Sequence, residues 1–84
     1  MIIDLTPISG HTASLLTSPG ASQDPDLLNM VATAIWQNAG EAARLPIRVD
    51  VGPHEPEVVV DGVPCVVLAL AHAGEHTVRF LASA

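Results

Sequence analysis

Apolar and polar side chains alternate strictly from Ile47 to Val51, with Arg48 and Asp50 between Ile47, Val49 and Val51. A period of two puts the apolar set on one face and predicts a half-buried strand with one wet face. Gly52-Pro53-His54-Glu55-Pro56 is expected to break it. Val58-Val59-Val60 and the run from Val63 to Ala71 then predict two further strands joined by Asp61-Gly62, a two-residue hairpin signal. A last strand from His76 to Ala82 is expected to return after Ala73-Gly74-Glu75.

Earlier in the chain the period changes. Leu28, Val31, Ala32, Ile35, Ala39 and Ala42 recur at helical spacing, and Leu27 widens the stripe. Asp24 suits the N-cap and Pro25 the first helical position, where a missing N–H costs nothing. Asp26 favours the positive helix end. Gly40 weakens this helix or ends it. Pro46 ends any continuation, because Leu45 before it is biased toward extended geometry. Ile2 to Thr6 predicts an opening strand, with a turn at Pro7-Ile8-Ser9-Gly10 and a return strand from His11 to Thr17. Ser18 to Gln23 is a loop by composition.

The final hairpin allows a register to be proposed. A three-residue turn sets His72 opposite His76, Leu70 opposite Val78 and Leu68 opposite Phe80, making a core face with Val66 and Ala82. The other face then carries Val63, Cys65, Val67, Ala69 and Ala71 beside Thr77, Arg79 and Leu81. A one-sided antiparallel sheet would be polar there. This face is small and apolar, so another segment of the chain or another chain is expected to cover it.

The expected fold class is α+β: ββα followed by an antiparallel β meander, one helix packed on a mainly antiparallel sheet, in a single domain spanning residues 1–84. Met1-Ile2-Ile3-Asp4-Leu5 with Gly10-His11-Thr12 resembles the first hairpin of ubiquitin-like proteins over about fifteen residues, in that family's hairpin–helix order. The resemblance implies a β-grasp-like topology. It does not carry conjugation or sulfur transfer with it, since the sequence ends Leu81-Ala82-Ser83-Ala84 and not in Gly-Gly.

Composition narrows the function classes. Hydrophobic residues make up 49% of the 84, yet the net charge is −6 and the basic side chains are Arg44, Arg48 and Arg79. Binding a duplex requires clustered Lys or Arg against a phosphate charge every ~1.7 Å, so nucleic acid is not an expected partner. The apolar run Val63–Ala71 is far shorter than the roughly 20 residues of a membrane span. The acid at Asp4 points away from a signal peptide, and the lone Cys65 fits a reducing compartment. A cytoplasmic protein or a virion component is expected. Arginine without lysine, with abundant Ala, Val, Gly and Pro, points to a GC-rich genome, that of a bacterium or its phage.

The candidate chemistry is sparse. His72, Glu75 and His76 around one turn, with His54 from another loop, compose a metal-ligand set by residue type. The plainer reading is four solvated turn residues, because no metal motif spaces them. Cys65 among Pro64, Val66 and Val67 reads as a structural thiol and not a nucleophile, since apolar burial disfavours thiolate. Asp24 with Asp26 suits a helix start, and Glu55 with Glu57 lies in a Pro-broken segment. Trp36, about 100° around the helix from Ile35, is either an edge of the domain's own core or an interface anchor.

These observations predict a small acidic, non-catalytic interaction or assembly module without a cofactor, binding a protein partner or itself. Adaptor, inhibitor and structural subunit all fit. The expected contact residues are Trp36, Cys65, Val67, Ala69, Arg79 and Leu81. A helix of the same chain lying over the Cys65–Ala69 face would remove the basis for that contact. The alternative is a metal-binding protein or metal-dependent hydrolase built on His54, His72, Glu75 and His76. An apolar-ligand carrier ranks last, because so short a chain leaves little enclosed volume.

Overall fold

The computed structural model describes residues 1–44 and 46–84, with the side chains of these other than Glu55 and Pro56. The extended geometry expected of Leu45, and any pairing of the Glu55 side chain, lie outside the described residues.

The fold is α+β. Strand β1 (Ile2–Leu5) leads into helix α1 (Gly10–Thr17), a short 3₁₀ turn (Ala21–Gln23) and helix α2 (Pro25–Ala39). Strands β2 (Ile47–Val60), β3 (Val63–Ala73) and β4 (His76–Ser83) follow. The sheet order is β1-β4-β3-β2. β2–β3 and β3–β4 are antiparallel, whereas β1 lies parallel to β4 at the edge.

Helix α2 forms where the caps and the apolar period place it. The Asp24 carboxylate accepts the N–H groups of Asp26 at 2.9 Å and Leu27 at 3.3 Å. Gly40 ends the helix in the left-handed conformation, φ 68°, its N–H donating to Trp36 O at 3.0 Å. Leu27, Val31, Ala34 and Ile35 are buried and pack on the sheet through Ile3, Ala69, Ala71, Val78 and Phe80. Each fully buried Leu, Ile or Phe contributes about 1.5–3 kcal/mol relative to exposure. Among the described residues no helix is long and apolar enough to cross a membrane.

The segment 11–17 is helical, not the second strand of an opening hairpin. Thr12 and Leu16 are buried and Leu15 half-buried, a spacing of three and four that suits a helix and not a strand. Ser9 accepts the Thr12 N–H at 3.2 Å as N-cap. The ubiquitin-like hairpin is therefore absent, and β1 takes its partner from the far end of the chain. Thr77 N–H donates to Met1 O at 2.9 Å, and the α-ammonium of Met1 reaches Glu75 O at 3.0 Å.

The Asp61-Gly62 turn forms as expected, with φ 50° and 79° and Val60 paired to Val63. The last hairpin differs. Ala73 pairs with His76 across a two-residue turn, Gly74-Glu75, in place of the three-residue turn. That slip sets Ala71 opposite Val78 and Ala69 opposite Phe80. A one-residue slip exchanges the two faces of a strand, here from Ala69 to Ala73, while Val66–Ala82 and Val67–Leu81 keep the expected register. His76, Val78 and Phe80 of β4 face inward as expected and Ala82 is half-buried, but Ala69, Ala71 and Ala73 of β3 lie beneath the helices in place of Leu70 and His72, with Leu68 packed at the margin of this core.

β2 also runs through the expected break at 52–56. It does so with register shifts between Val51 and His54 and between His54 and Val58. β2 is an edge strand, so Pro53 and Pro56 are tolerated without leaving a neighbouring strand unbonded.

Between the Ala69–Phe80 and Val67–Leu81 pairs the register shifts again. Beyond this bulge Cys65, Val67 and Leu81 face away from α2. They form a second buried cluster with Val58, Val60 and Leu70 packed against it.

Candidate interaction surface

Four of the six residues expected at the contact, Cys65, Val67, Ala69 and Leu81, are buried within the chain. Ala69 lies in the core beneath the helices. Cys65, Val67 and Leu81 fill the second cluster, each at most 3% exposed. Arg79 is bonded within the chain: its Nε and Nη2 donate to the two oxygens of Asp4, the latter at 2.9 Å. Of the residues expected at an interface, Trp36 is the one with an open side chain, 62% exposed.

Trp36 belongs to a surface that the helical period builds. Leu28, Ala32 and Trp36 follow at i, i+4 and i+8, so they form one ridge along α2. Asn29, Thr33 and Gln37 form the polar ridge beside it. After Gly40 turns the chain, Ala42 and Ala43 face the first ridge and Ile47 closes the floor. Together these residues line an open groove of ≈680 Å³. A second hollow of ≈500 Å³ shares Leu28 and Ile47 and extends the groove past Pro46 to Ser22 and Gln23. No ionisable residue lines either hollow among the described residues, although the chain carries nine carboxylates. The i, i+4 spacing of 28, 32 and 36 was visible in the sequence. What was not visible is that the core-facing stripe is centred on Leu27, Val31, Ala34 and Ile35, which leaves this ridge on the flank.

The histidines do not converge. His72 pairs with Thr77 and Ala73 with His76, so adjacent positions put the two imidazoles on opposite faces of the sheet. His76 is on the helix side, with Nε2 3.5 Å from Glu41 Oε2. Its Nδ1 is buried and has no hydrogen-bond partner among the described residues. His72 lies on the open face, His54 Nε2 sits 3.0 Å from Asp50 O, and Glu75 is exposed in the turn. Among the described residues no three His, Cys, Asp or Glu side chains converge as a metal set. The alternative site His54, His72, Glu75 and His76 is thus not assembled, because the alternation of β-strand side chains separates it.

The open face of the sheet carries a polar row. His72 Nδ1 is 3.3 Å from Thr77 Oγ1, and His72 Nε2 is 3.3 Å from Asp50 Oδ2. Arg48 Nη2 approaches the same carboxylate oxygen at 3.4 Å. Hydroxyl, imidazole and carboxylate in sequence have the residue types of an activated nucleophile. Stabilising an oxyanion needs N–H donors beside the hydroxyl. The Thr77 N–H is already bonded to Met1 O. The row joins polar groups across three strands. Comparison of the chain with family models, with curated proteins and with solved structures returns no match.

Proposed function

We propose that this chain is a small acidic, non-catalytic protein–protein interaction or assembly module that holds its partner in the α2 groove, with Trp36 as the anchor. The observation that carries this reading is a large aromatic side chain left 62% exposed at the rim of an uncharged groove. Tryptophan is enriched among residues that dominate binding energy, and burying one on association removes a large apolar area from water. The net charge of −6 supports a protein partner over nucleic acid. An adaptor, an inhibitor or a structural subunit, in the cytoplasm or in a virion of a GC-rich bacterium or its phage, would each use such a surface.

The test is site-directed photo-crosslinking in the native cell. A benzophenone side chain at position 37, in the groove, is compared with one at Val59, 68% exposed on β2. A discrete product from position 37 and none from Val59 is the expected result. Equal products from both positions, or none from position 37, would overturn the reading.

A further inference from the structure

We infer that the partner seated in the α2 groove is a second copy of this chain, docked antiparallel about a twofold axis near Ala32 and Thr33. This rests on the groove being an interface, and it names the occupant.

The pattern along α2 is the first argument. A twofold axis level with the midpoint between Ala32 and Thr33 brings 36 against 28 and 37 against 29 of the other copy, each to within about one 1.5 Å residue rise. Such an isologous contact requires a patch that matches itself. The groove ridge reads large–small–large: Leu28, Ala32, Trp36. Antiparallel docking sets Trp36 over the partner's Leu28, and the small Ala32 lets the two helices approach. The neighbouring ridge reads amide–hydroxyl–amide: Asn29, Thr33, Gln37. The same axis sets Gln37 against the partner's Asn29. Amides donate and accept, so each is complementary to the other without any charge.

Charge is the second argument. Two copies each carry −6, so a contact through any carboxylate-bearing patch would be repulsive. The groove is the uncharged part of α2's flank. A basic hetero-partner would be attracted to carboxylates, and the groove lining has none among the described residues.

Size is the third. A standard interface buries about 800 Å² per partner. The chain exposes 4979 Å², so such a contact covers about one sixth of it. A domain of this length buries a smaller share of its surface on folding than a larger one does, and a second copy extends the core at the ridge that α2 leaves open.

The experiment uses the untagged chain in a concentration series, followed by native mass spectrometry and by emission from the single tryptophan. A dimer whose formation moves Trp36 emission to shorter wavelength is expected. Trp36→Ala should weaken it by about tenfold or more. Gln37→Glu should weaken it as well, by desolvating a carboxylate against the partner's Asn29. Adding Asn29→Lys to Gln37→Glu should restore it. Positions 29 and 37 are about 12 Å apart along one helix, too far to pair within a copy. Circular dichroism checks that each variant remains folded. A chain that stays monomeric at every concentration overturns the inference. So does a dimer indifferent to Trp36→Ala or not restored by the charge pair. If position 37 nevertheless crosslinks to a protein of another mass in the cell, the interface reading survives and only the second copy fails. If it crosslinks to nothing, both fail.

Discussion

Phe80 and Leu81 are neighbours in β4, both have no exposed surface, and they point to opposite faces of the sheet. The bulge between Val67 and Ala69 makes this consistent with pairing, since Ala69 opposes Phe80 and Val67 opposes Leu81. One strand thus supplies two cores.

Both cores should be needed. Phe80→Ala is expected to cost about 3–5 kcal/mol and Leu81→Ala about 2–5 kcal/mol. Total stability for a domain of this size is of order 4–13 kcal/mol, so either variant should be near the limit of folding. Urea denaturation measures both. A Leu81→Ala cost below about 0.5 kcal/mol, the range of surface substitutions, would show that the second cluster is not a core.

The ends of α2 are set by two residues that can be tested separately. Asp24→Ala removes a cap bonded to two N–H groups and should cost about 1 kcal/mol. Gly40→Ala meets no atom within 4 Å, so its cost is the left-handed backbone alone, about 1–2 kcal/mol. Equal stability of Gly40→Ala and the parent in thermal melts would contradict the left-handed stop.

The Asp4–Arg79 pair joins β1 to β4, and its side chains are 29% and 24% exposed. A double-mutant cycle should give a coupling of about 1 kcal/mol, discounted for partial solvation. Arg48 with Asp50, at 71% and 42% exposure, should give less and lose it first as salt is added. A larger coupling for Arg48–Asp50 would mean that the two-pronged geometry of Arg79 confers nothing.

Metal should not stabilise the fold. With His72 and His76 on opposite sheet faces, one equivalent of zinc is expected to leave the melting temperature unchanged, as is a chelator. An upward shift that disappears in His72→Ala would mean the imidazoles meet after all.

Cys65 should behave as a buried thiol. It is 2% exposed, and its Sγ lies 3.5 Å from Val63 O. A disulfide reagent is expected to label it only as fast as the domain opens, so labelling should quicken in Leu81→Ala. Immediate labelling of the folded chain would place the thiol on the surface.

Much of the fold was legible from local chemistry. Asp24-Pro25 began α2 and Asp61-Gly62 formed the tight turn where their caps and φ preferences require. The core face of β4 followed from its alternation. Three readings failed where local signals compete. Thr12, Leu15 and Leu16 are too few to separate a short helix from a strand, and Ser9 as N-cap tips the balance. A hairpin of two or three turn residues reads almost alike around Gly74, yet the difference turns β3 over from Ala69 to Ala73, until the bulge restores the expected register at Val67. Pro53 and Pro56 look like strand breakers unless the strand is known to lie at an edge.

Local sequence sets the class of fold, the start of α2, the apolar faces available for burial and the excess of carboxylates over basic side chains. Those follow from side-chain period, capping and charge, which act over a few residues or over the whole composition. Which apolar surface is left open depends on long-range packing. The register of β3 against β4 hid Ala69 beneath the helices, Val58, Val60 and Leu70 covered Cys65, Val67 and Leu81, and the rotation of α2 on the sheet left Leu28, Ala32 and Trp36 on its flank. These depend on contacts between residues distant in the chain, where a single step of register exchanges the buried and exposed faces.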